Sequence, residues 1–445
     1  MKKIIWIPVT TIVVVVIYFF VIRPNVARKA YNSGVELSVS DTAAAIAEFS
    51  KALRLKRHFP DAQTARALLY VGMAKYTDAI ADCDVVISTD SLYGPCWFVK
   101  GLACFMASSG NPDWCFNKSV ELGYKIAESY SYMGIIRLQN NNFTEAVNCL
   151  SKAVIADSTL SIPYLYRAEA RVKLRDFKAA LADFNYAARL GADTIRAFLG
   201  RGSLHDTLGD YKNAVADYAV VLNKGGGGTD LLYRKGYLSF LINDNKTAID
   251  DLSEIITRDP LNIDAYYYRG NSYANINKYK NSVDDYNVVL KKQTRNSKVL
   301  YNRALALVFL GDYSKAAVDL QKNLTLIPKD VKSLKLLGIC YGRLNLHDSA
   351  IAVFTRALTF NDHDAEIYFY RGISYGLMAA HSKAINDYTQ AINMKKEYPE
   401  ASFNRGISWI NLNDFAAGCR DLRVSLKQGF TQAQGMIDMY CGQFK

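Results

Sequence analysis

Small residues recur along this 445-residue chain at an almost fixed spacing, and that spacing constrains the fold more than any other feature. Gly34, Ala67, Gly101, Gly134, Ala168, Gly202, Gly236, Gly270, Ala304, Gly338, Gly372 and Gly406 lie 33, 34 and 33 residues apart, and then 34 apart eight times. Twelve residues after most of these anchors stands a second small residue: Ala79, Ala146, Ala180, Ala214, Ala248, Ser282, Ala316, Ala350, Ala384 or Gly418. Four further on comes an aromatic or a leucine: Phe184, Tyr218, Leu252, Tyr286, Leu320, Phe354, Tyr388 and Leu422. Apolar positions between them recur at three and four residues, the mark of an amphipathic helix. Turn signals such as LGDY (208–211 and 310–313) and LNDF (412–415) separate the two halves of each unit. Each unit therefore reads as a helical hairpin whose small residues let two antiparallel helices approach closely. One hairpin cannot bury its own apolar face, so neighbours must stack.

These residues resemble the tetratricopeptide repeat family. That family has a bulky residue followed four later by Gly or Ala, then Ala and an aromatic at the spacings above, and often a proline near the end. Pro260 and Pro328 stand at that last position. The resemblance covers residues 30–428, about twelve repeats. It implies an all-α fold: an α-solenoid superhelix of 34-residue helix–turn–helix repeats with a concave groove that holds partner proteins, usually without catalysis. Two repeats depart from the pattern. The first is one residue short, and the one anchored at Gly101 has its second helix, SSGNPDWCFNKS, interrupted by Pro112. Residues 429–445 read as one last helix capping the open end of the array.

The repeat also places the run NKGGGGTD (223–230). The period from Gly202 to Gly236 continues through it, and Gly225–Gly228 fall where RDPL (258–261) falls one repeat later. It is a turn between repeats, with a hinge as the second reading, because four glycines remove backbone restraint. A phosphate loop requires Lys-Ser or Lys-Thr after the last glycine, and neither follows.

A charge pattern runs inside the period. The residue before the anchor and the residue fifteen after it form the pairs Arg66 and Asp82, Arg167 and Asp183, Arg201 and Asp217, Lys235 and Asp251. Arg269 and Asp285, Arg303 and Asp319, Arg371 and Asp387, and Arg405 and Asp421 continue it. Where the pattern fails, both members are lost together: Leu337 with Val353, and Met133 with Cys149. We infer structural ion pairs between first and second helices, within a repeat or across a boundary. The alternative is a basic ladder presented to a ligand, which matched acids would neutralise.

The first helix of each repeat should line the groove. In the middle of the array the candidate residues are Tyr233, Tyr237, Phe240, Tyr267, Asn271, Asn275, Tyr301, Leu305 and Phe309. Aromatics with amides suit an extended or helical peptide, although half of these tyrosines could be core instead. The carboxylate clamp of chaperone-tail receptors in the family wants Lys three before the anchor and Asn one after. Lys335 is followed by Ile339, and Asn271 is preceded by Tyr267, so that specificity is not expected.

Motifs for chemistry are missing. The five histidines (58, 205, 347, 363 and 381) form no H-E-x-x-H, and NDHD (361–364) reads as a solvated turn. No G-x-S-x-G occurs, nor a Cys–His nucleophile pair. No enzyme activity, cofactor or metal is expected. A net charge of +12 leaves nucleic-acid or anionic-lipid binding as the alternative to protein binding, but much of the basic count sits in the Arg–Asp pattern. Eight cysteines show no zinc spacing. They read as buried thiols, or as disulfides if the body is exported.

The amino terminus differs from the rest. After a short basic tail (1–3), IIWIPVTTIVVVVIYFFVI (4–22) carries no charge. Nineteen helical residues at about 1.5 Å each reach about 28 Å, close to a bilayer's hydrocarbon core. We read residues 4–22 as a transmembrane signal-anchor helix, 23–29 as a juxtamembrane linker and 30–428 as the repeat array. A cleaved signal peptide is the weaker reading, since Arg23-Pro24 follows at once. Lys2 and Lys3 nearly balance Arg23, Arg28 and Lys29, but so short a basic tail favours a cytoplasmic amino terminus and a body outside.

Overall fold

The computed structural model describes residues 16–443, and all of the regular structure among them is helical. Two compact units divide the chain between Gly226 and Gly227. In the first unit, α1 (Arg23–Leu37) pairs with α2 (Thr42–Leu55), α3 (Pro60–Gly72) with α4 (Tyr76–Thr89), and α5 (Gly94–Met106) with α6 (Pro112–Glu121). Then come α7 (Ile126–Gln139) with α8 (Phe143–Ala156), α9 (Ser161–Lys173) with α10 (Phe177–Arg189), and α11 (Thr194–Thr207) with α12 (Tyr211–Asn223). The second unit begins with α13 (Gly228–Leu241) on α14 (Asn245–Arg258), α15 (Ile263–Asn275) on α16 (Tyr279–Lys292), and α17 (Ser297–Phe309) on α18 (Tyr313–Leu326). It continues with α19 (Val331–Arg343) on α20 (His347–Leu358), α21 (Ala365–Leu377) on α22 (His381–Met394), and α23 (Pro399–Asn411) on α24 (Phe415–Lys427). A last helix, α25 (Ala433–Tyr440), follows. Within each unit every hairpin packs on the next one along the chain.

The anchors sit where the aromatic or leucine of the second helix presses on the first. A Cβ on Gly134 would come within 2.4 Å of Leu150, and one on Gly372 within 2.8 Å of the Tyr388 ring. Phe184, Leu252, Leu320 and Phe354 are essentially fully buried. Each contributes roughly 1.5–3 kcal/mol relative to an exposed side chain.

Both irregular repeats fit the same packing by losing a residue between anchor and ring. Phe49 seats against Gly34, and Phe116 against Gly101, fifteen positions after the anchor instead of sixteen. Pro112 lies in the first turn of α6, where its missing N–H leaves no bond unmade, and Asn111 caps that helix by accepting from the Trp114 amide at 3.1 Å. It shortens the second helix rather than breaking it.

The segment 23–29, expected as a linker, is instead the first half of α1. Its small residues explain this: Ala27 and Ala30 are buried in the α1–α2 hairpin, and Pro24 occupies the first turn. Arg23 also donates to the Arg54 carbonyl at the end of α2 (3.2 Å). Of the apolar run 4–22, residues 4–15 lie outside the described residues; Tyr18–Ile22 form a π-helical turn with exposed side chains leading into α1. No helix among the described residues is long and apolar enough to cross a membrane.

In the glycine run, Gly225, Gly227 and Gly228 adopt positive φ (79°, 81° and 59°), which no other residue type enters as freely. The run is a turn between repeats, and it is also where the compact units divide. At the far end, α25 covers Ile410 and Leu422 through Ala433, and a disulfide joins Cys419 of α24 to Cys441.

Candidate partner-binding groove

The Arg–Asp pattern becomes a repeated clamp. Arg66, Arg167, Arg201, Arg269, Arg303, Arg371 and Arg405 each donate Nε and Nη2 to both oxygens of the aspartate sixteen residues on, at 2.6–2.9 Å. Lys235 holds Asp251 with its single ammonium at 2.7 and 2.8 Å. Each arginine also has a third bond that sequence reasoning missed. Its Nη1 donates to Ser50, Ser151, Asn185, Ser253, Asn287, Thr355 or Thr389, on the second helix of the preceding repeat, at 2.6–3.1 Å. One guanidinium thus fixes its own hairpin and its neighbour. The signal was present in the sequence: the residue sixteen before each of these arginines is Ser, Thr or Asn, whereas sixteen before Lys235 stands Ala219. Burial pushes the Asp285 and Asp387 carboxyls above the usual carboxylate range, against the opposing pull of their arginines. These guanidiniums are engaged with the protein itself and form no free basic ladder.

Five of the nine candidate groove residues come together. Phe240, Asn271, Asn275, Leu305 and Phe309 line one cavity of about 360 Å³ in the second unit, with Ala274, Tyr279, Tyr286, Asn302 and Ala306. Asn271 is central. Its Oδ1 accepts from the Tyr286 hydroxyl at 2.6 Å and from Asn302 Nδ2 at 3.1 Å, which occupies both lone pairs. What Asn271 has left is its two N–H donors, and what Asn302 has left includes its carbonyl oxygen. Tyr286 is 1% exposed, and burial pushes its hydroxyl up to about 12, so it stays a neutral donor. At the rim, Tyr279 and Phe309 stack with centroids 4.6 Å apart and planes 9° apart, while Phe309 remains 60% exposed. Asn275 donates to Asn245 at 3.1 Å.

The other four candidates lie elsewhere. Tyr267 packs on the core of Tyr286, Val289 and Leu300, and Tyr301 on that of Ala304, Leu320 and Leu334. Tyr237 stands edge-on to Tyr268 at 4.8 Å, and Tyr233 is half-buried, its hydroxyl raised by burial and by nearby Asp264. The physical reason is position on the helix. The residues three before the anchor face the next hairpin, whereas Asn271 and Leu305, one after it, and Asn275 and Phe309, five after it, line the cavity; Tyr237, also one after its anchor, turns instead to Tyr268 of the next hairpin. Tyr279, Tyr286 and Asn302 were not foreseen, since two of them come from a second helix.

A second cavity of about 350 Å³ recurs two repeats on, lined by Ile339, Arg343, His347, Tyr370 and Ile373 among others. Another of about 390 Å³, in the first unit, is lined by Phe105, Tyr132, Ile135, Pro163 and Tyr166 among others. No group of three or more His, Cys, Asp or Glu among the described residues is placed to hold a metal.

Stacked antiparallel hairpins with small residues at each crossing define a helical-repeat protein. The model of the tetratricopeptide repeat family matches residues 165–228, which span α9 to α12, and it supports the tetratricopeptide-repeat reading of the chain. No curated protein matches the sequence. Among solved structures, a tetratricopeptide repeat protein from Parabacteroides merdae is 16% identical over 56% of this chain and 100% of its own, with a TM-score of 0.41. MamA from Desulfovibrio magneticus is 17% identical over 38% of this chain and 96% of its own, with a TM-score of 0.37. Another MamA structure is 21% identical over 37% and 96%, with a TM-score of 0.35.

Proposed function

We propose that this protein is a membrane-anchored scaffold that binds extended segments of partner proteins along its open first-helix face. The observation that carries this reading is the Asn271–Asn302 pair on the wall of an aromatic cavity. One amide keeps N–H donors and the other keeps a carbonyl acceptor, the complement of a single peptide unit. The stacked Tyr279 and Phe309 rings beside it offer a flat apolar seat for one side chain. No catalytic role is assigned to the chain. The anchor in this reading is residues 4–22, and the repeat body lies outside the cytoplasm, where it serves envelope assembly or secretion. The disulfide between Cys419 and Cys441 favours that side.

The test is capture from solubilised membranes by the full chain, compared with the double variant Asn271→Leu, Phe309→Ala. Proteins held by the wild type at high salt should be lost by the variant. An identical captured set for both, or retention only at low salt together with nucleic acid, would overturn the reading in favour of a basic binding surface.

A further inference from the structure

The cavity of about 350 Å³ in the second unit repeats the Asn271 cavity at equivalent places two repeats on, with its polar groups exchanged. Counted from the anchors Gly270 and Gly338, Asn275 becomes Arg343, Tyr279 becomes His347 and Tyr286 becomes Phe354. Counted from Ala304 and Gly372, Asn302 becomes Tyr370 and Leu305 becomes Ile373. Amides give way to a guanidinium and an imidazole, set among apolar walls. The Phe354 and Tyr370 rings belong to those walls, with planes 13° apart and centroids 6.4 Å apart.

Three features of this cavity lack a structural use. Arg343 is exposed, and among the described residues its guanidinium enters no ion pair or hydrogen bond, unlike the arginines of the clamp. Nδ1 of His347 is buried and meets no hydrogen-bond partner among the described residues, a costly state for a polar atom unless a ligand meets it. Gly342 lies in α19, where glycine weakens a helix, yet a Cβ there would meet no atom within 4 Å, so packing does not require it. Its bare backbone keeps room in the cavity. No carboxylate lines the site. The aspartate that caps the second helix in other repeats (Asp176, Asp244, Asp312 and Asp414) is replaced here by Leu346, which gives α20 no side-chain cap. A basic residue in the last turn of α19 also suits the helix dipole, but that accounts for neither His347 nor Gly342. His381, one repeat on, has the same orphaned atom, but Leu377 stands where Arg343 would be.

We propose that this cavity binds a carboxylate of the partner segment together with the apolar side chain next to it. The inference rests on the peptide-binding reading above and gives that peptide one acidic position. The Arg343 fork presents paired N–H donors to the two carboxylate oxygens, and His347 adds a donor through Nδ1–H. Ile339, Ile373 and Leu377 receive the apolar group. Both donors lie five and nine residues after the anchor, not three before and one after it as in the carboxylate clamp of chaperone-tail receptors. An acidic side chain and a free carboxyl terminus offer the same group to this site.

The experiment passes a soluble random-sequence peptide library over the immobilised full chain and sequences what is retained. The library is made in free-acid and carboxamide forms. Peptides held by the wild type should carry Asp or Glu beside an apolar residue in both forms if a side chain supplies the group, or be held only as free acids if the terminus does. Arg343→Gln should still retain peptides through the Asn271 cavity, but without the acidic preference. A retained acidic peptide should bind Arg343→Gln about tenfold more weakly than wild type, and its amide analogue should bind both equally. Gly342→Ala should melt higher than wild type and bind that peptide more weakly. An unchanged acidic preference in Arg343→Gln, or no such preference in the wild type, would overturn this inference and leave the peptide-binding reading standing. If the wild type retains no peptide of either form, both fall.

Discussion

At the scale of single residues, the arginine clamp is a specificity device. Each Arg–Asp pair is nearly dry: in Arg269–Asp285 the side chains are 17% and 6% exposed. Desolvation opposes ionisation of Asp285, and the bidentate contact with Arg269 offsets it. Such a pair adds little net stability, but half of it is costly. Asp285→Ala should lower stability by about 3–5 kcal/mol, because it strands a buried guanidinium, while Arg269→Leu with Asp285→Val should cost markedly less. Thermal melting of the two variants separates them, and equal melting temperatures would sink this account. The chain supplies its own precedent in Leu337 and Val353, where both charges are replaced by apolar side chains, the first buried in the core and the second packed at its edge. The pair was legible in the sequence because both members sit at fixed places in one period. The third bond was not, because its acceptor changes between Ser, Thr and Asn and belongs to the preceding repeat.

At the scale of elements, the turn between the two helices of a hairpin carries its own 34-residue rhythm. Ala74, Ser108, Asn141, Arg175, Gly209, Asn243, Asn277, Gly311, Asn345, Ala379 and Asn413 all take positive φ. Each ends the first helix of a hairpin, with the following amide reaching back five residues; Asp210 N, for example, donates to the His205 carbonyl at 2.9 Å. Asn and Gly enter this left-handed conformation at little cost, but Arg175 (φ 63°) and Ala379 (φ 57°) do not. Both side chains are exposed. Arg175→Gly and Ala379→Gly should therefore each stabilise the protein by about 0.5–1 kcal/mol, the strain released less the backbone entropy of glycine. Gly311→Ala, where an added Cβ meets no atom, should destabilise by a similar amount through φ alone. Melting temperatures that move the opposite way would refute the strain argument. Hairpins were the most legible feature of the sequence, because one amphipathic helix can bury its stripe only against another. Element ends were less so. Residues 23–29 lack bulky apolar residues and read as a linker, yet Ala27 and Ala30 supply the close contact that α1 needs. The groove was half legible for a related reason: periodicity tells which residues belong to the first helix, but not whether a tyrosine's ring lies toward the next hairpin, as in Tyr267 and Tyr301, or toward the open side.

At the scale of the whole molecule, the proposed function places the repeat body outside the cytoplasm. Charge flanking the apolar run 4–22 decides weakly, since Lys2 and Lys3 oppose Arg23, Arg28 and Lys29. The proposed placement outside the cytoplasm draws more on the Cys419–Cys441 bridge, since such a bridge persists where an oxidant is at hand. The bridge from Cys419 to Cys441 ties down α25, a helix of eight residues whose only buried member is Ala433. So short a helix has little of its own to hold it in place, and without the bridge the apolar surface around Ile410 and Leu422 would rest on that single contact and its partly buried neighbours. We therefore expect a reporter enzyme fused after Lys445 to be active when it is of the kind that works only outside the cytoplasm, and a cytoplasm-only reporter at the same place to be silent. Activity of the second kind would put the body inside. The Cys419–Cys441 bridge would then be reduced in the cell, and α25 would fray from the end of the array.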